Sequence, residues 1–494
     1  PIYTLSAYSY NNVTRVNQSM GKGRTWIWDN LLTYGVDING GHHLDLMAGT
    51  SANQYKGTTI WGSNTNLVFS SLEYAWLSNA TNTDGTNISL GGGPNDEVNL
   101  MSYFGRVNYN FNETYMVNAT FRADGSSRFI GKNRWGYFPS VSAGWVMTNE
   151  EFLTGTSGWL NFLKARVSWG QVGNQNIGNF QYLAPVQFAN TNYIFGNKEG
   201  VLTPGAYVSR LSNPDVRWET SEQINVGLDA RFLNGKLSAT FDWYSKTTKD
   251  WLIQAPVPST AGAEAPYING GNVTNKGIEL ALAYNSAIGE LNYTIAVNGA
   301  YNQNNVTEIP TGDGIIHGET NQLFDNSGEF YRAQSGYPIG YFWGLKTQGI
   351  FQTEADVANH KSAEGKIIQP NAKPGDVIYT DLNNDGIISD ADRTEIGNPN
   401  PDFTFGFNIS ATYKGFDFVV QANGVAGNEL VQSYRNHANL YANYTSNILD
   451  RWHGPGSSNE IPRVTEDARN WINFSELYIH KGDFLRISNV TIGY

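Results

Sequence analysis

From residue 103 onward apolar and polar side chains alternate. Tyr103, Gly105, Val107, Tyr109 and Phe111 fall on one side of an extended segment, with Phe104, Arg106, Asn108 and Asn110 on the other. After Asn112, Glu113 and Thr114, the apolar side resumes with Tyr115, Val117, Ala119, Phe121 and Ala123, against Met116, Asn118, Thr120, Arg122 and Asp124. Successive strand residues point to opposite faces, so a period of two predicts a β-hairpin with one apolar and one polar face. The unit recurs with tight turns at 233–236, 286–290 and 413–415. Single strands with the same pattern run through Leu163, Ala165, Val167 and Trp169, and through Leu44, Leu46 and Ala48.

Alternation also suits a soluble β-sandwich, propeller or β-helix. Three features favour a membrane barrel. Many strands approach the roughly 9–11 residues that a tilted membrane strand needs. The tight turns contrast with the long links 124–138, 245–277 and 302–345, rich in Gly, Asn, Asp and Pro; such lopsidedness is typical of outer-membrane barrels. Aromatics also sit at strand ends, as in the pairs Phe111 and Tyr115, Tyr284 and Tyr293, and Tyr413 and Phe416. That is where an interfacial girdle belongs. The apolar face would then meet lipid, and the polar face, with Arg106, Arg122, Lys164 and Arg166, would line the lumen. The expected fold is all-β: a large antiparallel transmembrane β-barrel with long extracellular loops. The whole chain, 1–494, reads as one barrel domain, with 302–402 as extracellular elaboration.

Composition narrows the function. Charged residues are only 15 % and aromatics 13 %, a bias toward strand and turn formers. Cysteine is absent, which removes disulfides, thiolate metal sites and cysteine nucleophiles. The net charge of −12, without a Lys/Arg cluster, argues against nucleic acid. No stretch of about 18 apolar residues predicts a transmembrane helix. Gly91, Gly92, Gly93 and Pro94 read as a flexible loop, not a nucleotide site. His42 and His43 would point to opposite strand faces and could not share a metal. An acid pair such as Asp390 and Asp392 could suggest a glycosidase, but an enzyme is not expected.

One motif has metal-ligand spacing. Asp381, Asn383, Asp385, Ile387 (through its carbonyl), Ser389 and Asp392 occupy calcium-loop positions, with Gly386 at the sharp turn. Asp392 replaces the usual bidentate Glu, and no helical pattern clearly flanks the loop. Calcium and a loop that satisfies its own backbone through Asx turns are both open readings. Tyr341, Trp343 and Trp452 lie in Gly-rich loops and are candidate cargo contacts, since aromatic faces stack on sugar rings.

Several stretches resemble the SusC/RagA-like group of TonB-dependent transporters of Bacteroidetes. They are FPSVSAGW (138–145), LKARVSWGQVGNQN (163–176), NPDVRWET (213–220), NVTNKGIE (272–279), GYPIG (336–340), KPGD (373–376), DLNNDG (381–386), IGNPNP (396–401), NEIPR (459–463) and FLRISNVTIGY (484–494). The resemblance implies a multi-pass bacterial outer-membrane barrel of about 22 strands. It implies import of bulky nutrients, oligosaccharide or peptide, energised by TonB through an N-terminal segment absent here. A SusD-like surface lipoprotein is the implied partner. Neither a plug nor the final strands of such a barrel are expected within these residues. The alternatives are an extracellular all-β binding protein or adhesin, and an all-β glycan-degrading enzyme.

Overall fold

The computed structural model describes residues 3–494 apart from 5–9, 70, 86, 189–203, 255–256, 258 and 440. Thirteen strands form one antiparallel sheet: β1 Arg15–Ile38, β2 His42–Thr65, β3 Ser89–Phe111, β4 Tyr115–Ser126, β5 Trp135–Val146, β6 Leu160–Asn174, β7 Glu219–Phe232, β8 Leu237–Lys249, β9 Asn272–Ile288, β10 Leu291–Glu308, β11 Phe403–Tyr413, β12 Phe416–Ala426 and β13 Phe484–Gly493. Every strand pairs with its chain neighbours, so the sheet is a pure meander, with β1 and β13 at its edges.

The links sort by end. Residues 39–41, 112–114, 147–159, 233–236, 289–290 and 414–415 join strands at one end; 66–88, 127–134, 175–218, 250–271, 309–402 and 427–483 join them at the other. The tight turns use left-handed backbone: Asn112 and Glu113 have φ of 49° and 55°, Leu233, Asn234 and Gly235 have 56°, 58° and 80°, and Lys414 and Gly415 have 48° and 87°. That conformation lets a very short link reverse the chain without splaying the strands.

Register carries the apolar rows across the sheet. Leu46 pairs with Val107, Val107 with Ala119, Ala119 with Val141, Val141 with Trp169 and Trp169 with Ile224. A sandwich would cover this face with a second sheet about 10 Å away. Here it stays open: Val107, Val117, Val141, Val167, Val226, Leu280 and Val297 are 42–47 % exposed. A contiguous apolar band of this extent marks a surface made for lipid rather than water.

Aromatic pairs edge the band. Near the tight turns Phe111 stacks on Tyr115 at 6.4 Å and Tyr115 on Trp145 at 6.3 Å, while Tyr284 meets Tyr293 at 6.1 Å. Toward the long loops Phe121 stacks on Tyr137 at 6.2 Å and Tyr301 meets Phe403 at 4.9 Å. Tyr137 and Trp145, like Tyr293 and Tyr301, are eight positions apart. Eight residues span about 26 Å of strand, or about 20 Å along the normal at a tilt of roughly 40°, close to the expected apolar band.

Two sequence expectations change, and one strand is new. The strands run further than alternation shows, so 124–138 contracts to 127–134 and 245–277 to 250–271, while most of 302–345 proves to be part of one longer link, 309–402. Arg15–Ile38 is a strand with little apolar alternation. Gly91, Gly92, Gly93 and Pro94 lie inside β3, paired with Trp61, Ile60, Thr59 and Thr58. There the indole of Trp61 lies over Gly91, where a Cβ would sit 2.6 Å from the ring, so glycine is required by close approach and not by a loop.

The segments 309–402 and 427–483 pack into one body at the long-loop end. Ile315–His317, Tyr331–Gln334, Tyr341–Leu345 and Arg393–Gly397 form a four-stranded sheet, and Thr347–Ile350 pairs with Val377–Tyr379. Its core joins Phe324, Phe342, Ile396, Phe474 and Tyr478. The Leu345 N–H donates to the Phe474 carbonyl at 3.0 Å, tying the two segments together.

Candidate functional site

The polar face of the sheet carries paired charges. On β6, Arg166 donates through Nε to Asp229 Oδ2 at 2.7 Å and through Nη2 to Asp242 Oδ2 at 3.1 Å. Asp229 and Asp242 stand on β7 and β8, so the guanidinium spans two strand spacings. Gly227 permits this: a Cβ there would lie 2.4 Å from Asp242 Oδ1 and 2.7 Å from Arg166 Nη2. Arg122 Nε pairs with Asp124 at 2.8 Å. Nearer the tight turns, His43 contacts Asp37 at 2.5 Å and Asp45 at 3.2 Å. His43, Asn108, Asn118, Lys164 and Arg166 line a shallow cavity of about 590 Å³ on this face. Sequence placed Arg122, Lys164 and Arg166 on the polar side, but the clusters depend on register, which alternation does not show.

The long-loop body is built on a buried ion pair. Asp376 has a side chain 3 % exposed. It accepts from Arg463 Nε at 2.7 Å, Arg463 Nη2 at 3.1 Å and Asn470 Nδ2 at 3.1 Å. Its surroundings bury Val377, Tyr379 and Leu345, and burial raises the Tyr379 phenol well above its ordinary range. A second node centres on His437, which stacks on Trp471 with ring centroids 5.0 Å apart and meets Phe324 and Tyr478 edge-on. Beside it, Tyr434, Asn447, Asn459, Glu460, Trp471 and His480 line a cavity of about 550 Å³. Of its residues, only the neighbourhood of Asn459 and Glu460 was marked by the sequence, and not as a pocket.

The calcium-spaced loop folds on its own backbone. Asp381 Oδ2 accepts the Gly386 N–H at 2.8 Å, Asn383 Oδ1 the Asp385 N–H at 3.0 Å, and Asp385 Oδ1 the Ile387 N–H at 2.8 Å. Gly386 has φ 76°, the sharp turn that the motif requires. Asp392 is fully buried and does not join this arc. Its Oδ1 accepts from Leu382 N at 2.9 Å and its Oδ2 from Ser389 N at 2.8 Å, closing a capping box with Ser389. Asp381, Asn383 and Asp385 are thus brought together with the Gly386 turn, whereas Asp392 and Ser389 are engaged with each other. Asp381 Oδ1 is buried and has no hydrogen-bond partner. Among the described residues no three acidic or histidine side chains converge as a metal cluster. Asp390 pairs with Arg393 at 2.9 Å, so Asp390 and Asp392 do not face each other across a cleft as a glycosidase pair would.

The three candidate aromatics have different surroundings. Tyr341 is fully buried, stacked on Tyr337 at 4.7 Å, and donates its hydroxyl to Gln334 Oε1 at 2.7 Å. Burial pushes its phenol up to about 12, and in this arrangement it offers no face to a cargo: the aromatic, glycine-flanked segment that suggested a loop contact is an inner strand of the body. Trp343 is half-buried beneath the Arg332 guanidinium, which lies 4.0 Å from its ring centre. Trp452, also half-buried, donates from Nε1 to Gln352 Oε1 at 3.1 Å.

Comparison with known proteins agrees with this architecture. The family described as "TonB dependent receptor-like, beta-barrel" matches residues 2–494. The TonB-dependent receptor P3 of Formosa agariphila is 29 % identical over 473 residues, covering 94 % of this chain and 45 % of the relative. The TonB-dependent receptor SusC of Bacteroides thetaiotaomicron is 30 % identical over 404 residues, covering 80 % of this chain and 38 % of the relative. The chain spans less than half the length of these curated relatives. Among solved structures, the RagAB peptide transporter superposes with a TM-score of 0.77 at 24 % identity, covering 99 % of this chain and 51 % of that chain; at that identity the likeness speaks for the fold. These relatives are receptors and transporters, a non-enzymatic family. An apolar band bounded by aromatics, a charge-paired polar face and a match over nearly every residue lead to one conclusion: the chain belongs to the TonB-dependent receptor-like β-barrel family, proteins of the bacterial outer membrane.

Proposed function

We propose that this chain forms much of the wall and outer gate of an importer for bulky nutrients. The tight-turn end faces the periplasm and the long-loop end the exterior. The observation that carries the reading is the assembly of 309–402 and 427–483 into a packed body at the long-loop end of a charge-paired polar wall. Import is energised by TonB acting outside these residues, and a SusD-like lipoprotein covers the gate. Cargo is oligosaccharide or peptide. The cavity beside Trp471, with Tyr434, Asn447 and Glu460, supplies an aromatic surface and hydrogen-bonding groups for one sugar ring or peptide side chain; Trp343 and Trp452 are further contacts. Uptake of labelled oligosaccharide and peptide pools by cells carrying or lacking the full-length protein tests the reading. Protein-dependent uptake supports it, and equal uptake by both strains of every pool overturns it. Replacement Tyr434→Ala is expected to weaken cargo binding about tenfold, the scale of one anchoring aromatic.

The same reading includes calcium at the Asp381 loop. Its support is the buried, partnerless Asp381 Oδ1 beside Asn383 and Asp385. Those side chains and the Ile387 carbonyl would hold the ion, which would brace the loop electrostatically.

A further inference from the structure

We propose that the lipid-facing wall across β8–β11 holds a membrane lipid that bears a net negative charge, with one acyl chain in a notch and its headgroup at Lys276. This placement rests on the orientation given under the proposed function. The notch is an apolar cavity of about 340 Å³ lined by Phe241, Leu280, Val297, Tyr301, Phe403 and Phe405. Its floor is Gly299, which pairs with Leu280 on one side and Phe405 on the other. A Cβ at Gly299 would make one ordinary contact, with the Thr404 carbonyl at 3.9 Å, so a side chain has room there and its absence leaves the notch. Phe405 leans away: a Cβ on Gly424, in the next strand, would lie 2.6 Å from its ring. Two glycines therefore make the notch, one by omitting a side chain and one by receiving the neighbouring ring.

Its depth selects the occupant. Gly299 lies one side-chain row inside the girdle of Tyr301 and Phe403, within the leaflet nearest the long loops. An apolar notch at that level meets acyl chains and not water. The next row outward is polar. Gln303 Nε2 donates to the Tyr301 hydroxyl at 2.8 Å, and Lys276 pairs with Gln303 across the strands. Lys276 is exposed and, among the described residues, forms no ion pair with a carboxylate. An ammonium just above the girdle, over an acyl-sized notch, complements an anionic headgroup. One lysine near a membrane surface contributes on the order of 1 kcal/mol, a preference of about fivefold.

The test uses the full-length protein extracted from outer membranes and equilibrated with equal phosphatidylglycerol and phosphatidylcholine of identical chains. Retained lipid is counted by native mass spectrometry. The wild type is expected to retain about fivefold more phosphatidylglycerol. Gly299→Leu, which fills the notch, should lose retention of both lipids, and Lys276→Gln should keep retention but lose the preference. Equal retention of the two lipids by the wild type, or retention unchanged in both variants, overturns the proposal. A dimer that dissolves in Gly299→Leu overturns it in favour of a second copy on this face. Nutrient uptake unaffected by Lys276→Gln separates this site from the import reading, since either can fail without the other.

Discussion

Asp376 and Arg463, far apart in sequence, meet in a two-pronged ion pair with N–O distances of 2.7 and 3.1 Å. The carboxylate is almost wholly buried, and Asn470 supplies a further donor. The pair joins 309–402 to 427–483 at a point where neither segment is a barrel strand. Replacement Arg463→Met removes the two-pronged partner and leaves buried Asp376 only the Arg469 guanidinium, 4.0 Å away, which costs up to about 3 kcal/mol. Limited proteolysis of the folded protein should show faster cleavage in both loop segments and an unchanged barrel core. The double replacement with Asp376→Asn should recover part of the loss, because the stranded charge is gone.

Glycines at two wall positions should respond in opposite ways. Gly227→Ala places a methyl group against Arg166 and Asp242, breaking a charge-assisted hydrogen bond worth roughly 1.5–3 kcal/mol. Gly299→Ala meets only an ordinary contact at 3.9 Å and should stay within about 0.5 kcal/mol of the wild type. Urea unfolding from lipid vesicles compares the two.

Acid should loosen the segment 432–439. His437 is enclosed by Phe324, Trp471 and Tyr478, and burial, reinforced by nearby Arg435, lowers its imidazole to about 4 from the ordinary 6.5. Arg435 and Tyr478 are the titratable groups facing it. A folded value below the unfolded one means that the released segment binds the proton first. The packing free energy is therefore complete above pH 6.5 and declines as pH falls from 6.5 through 4. Hydrogen exchange should speed up in this segment between those values, and His437→Phe should flatten the dependence.

Calcium titrated calorimetrically into the purified protein should bind at the Asp381 loop in the range of about 0.1–1 mM, typical of weak extracellular sites. Asp381→Ala combined with Asp385→Ala should abolish that heat. Matching isotherms would reject the loop as a calcium site.

The apolar half of the wall was legible because a lipid-facing side chain must be apolar at every second position, as Ile278, Leu280 and Leu282 show. The strand ends were less so. Beyond the girdle both faces meet water, so alternation fades while pairing continues: Asn302 and Asn304 still reach Asn275 at 3.4 and 2.9 Å, yet their sequence reads as a polar loop. Gly91 misled for a related reason, since a glycine under Trp61 and a glycine in a flexible link look alike in sequence. The calcium spacing gave the arc from Asp381 to Asp385, but not the turning of Asp392 toward backbone N–H groups. The Asp376–Arg463 pair depends on a long-range meeting that no local pattern encodes.

In a membrane barrel, β10 presents alternate residues to lipid and to an aqueous lumen. Cysteine is absent from this chain, so single replacements Ile295→Cys, Ala296→Cys, Val297→Cys and Asn298→Cys serve as reporters in the full-length protein, reconstituted in vesicles, with labelling of the parent protein subtracted. Labelling by a membrane-dissolved and by a water-soluble maleimide is compared position by position. Ile295→Cys and Val297→Cys should react only with the membrane-dissolved reagent, and Ala296→Cys and Asn298→Cys with the water-soluble one. Equal reaction of all four with the water-soluble reagent would contradict this arrangement.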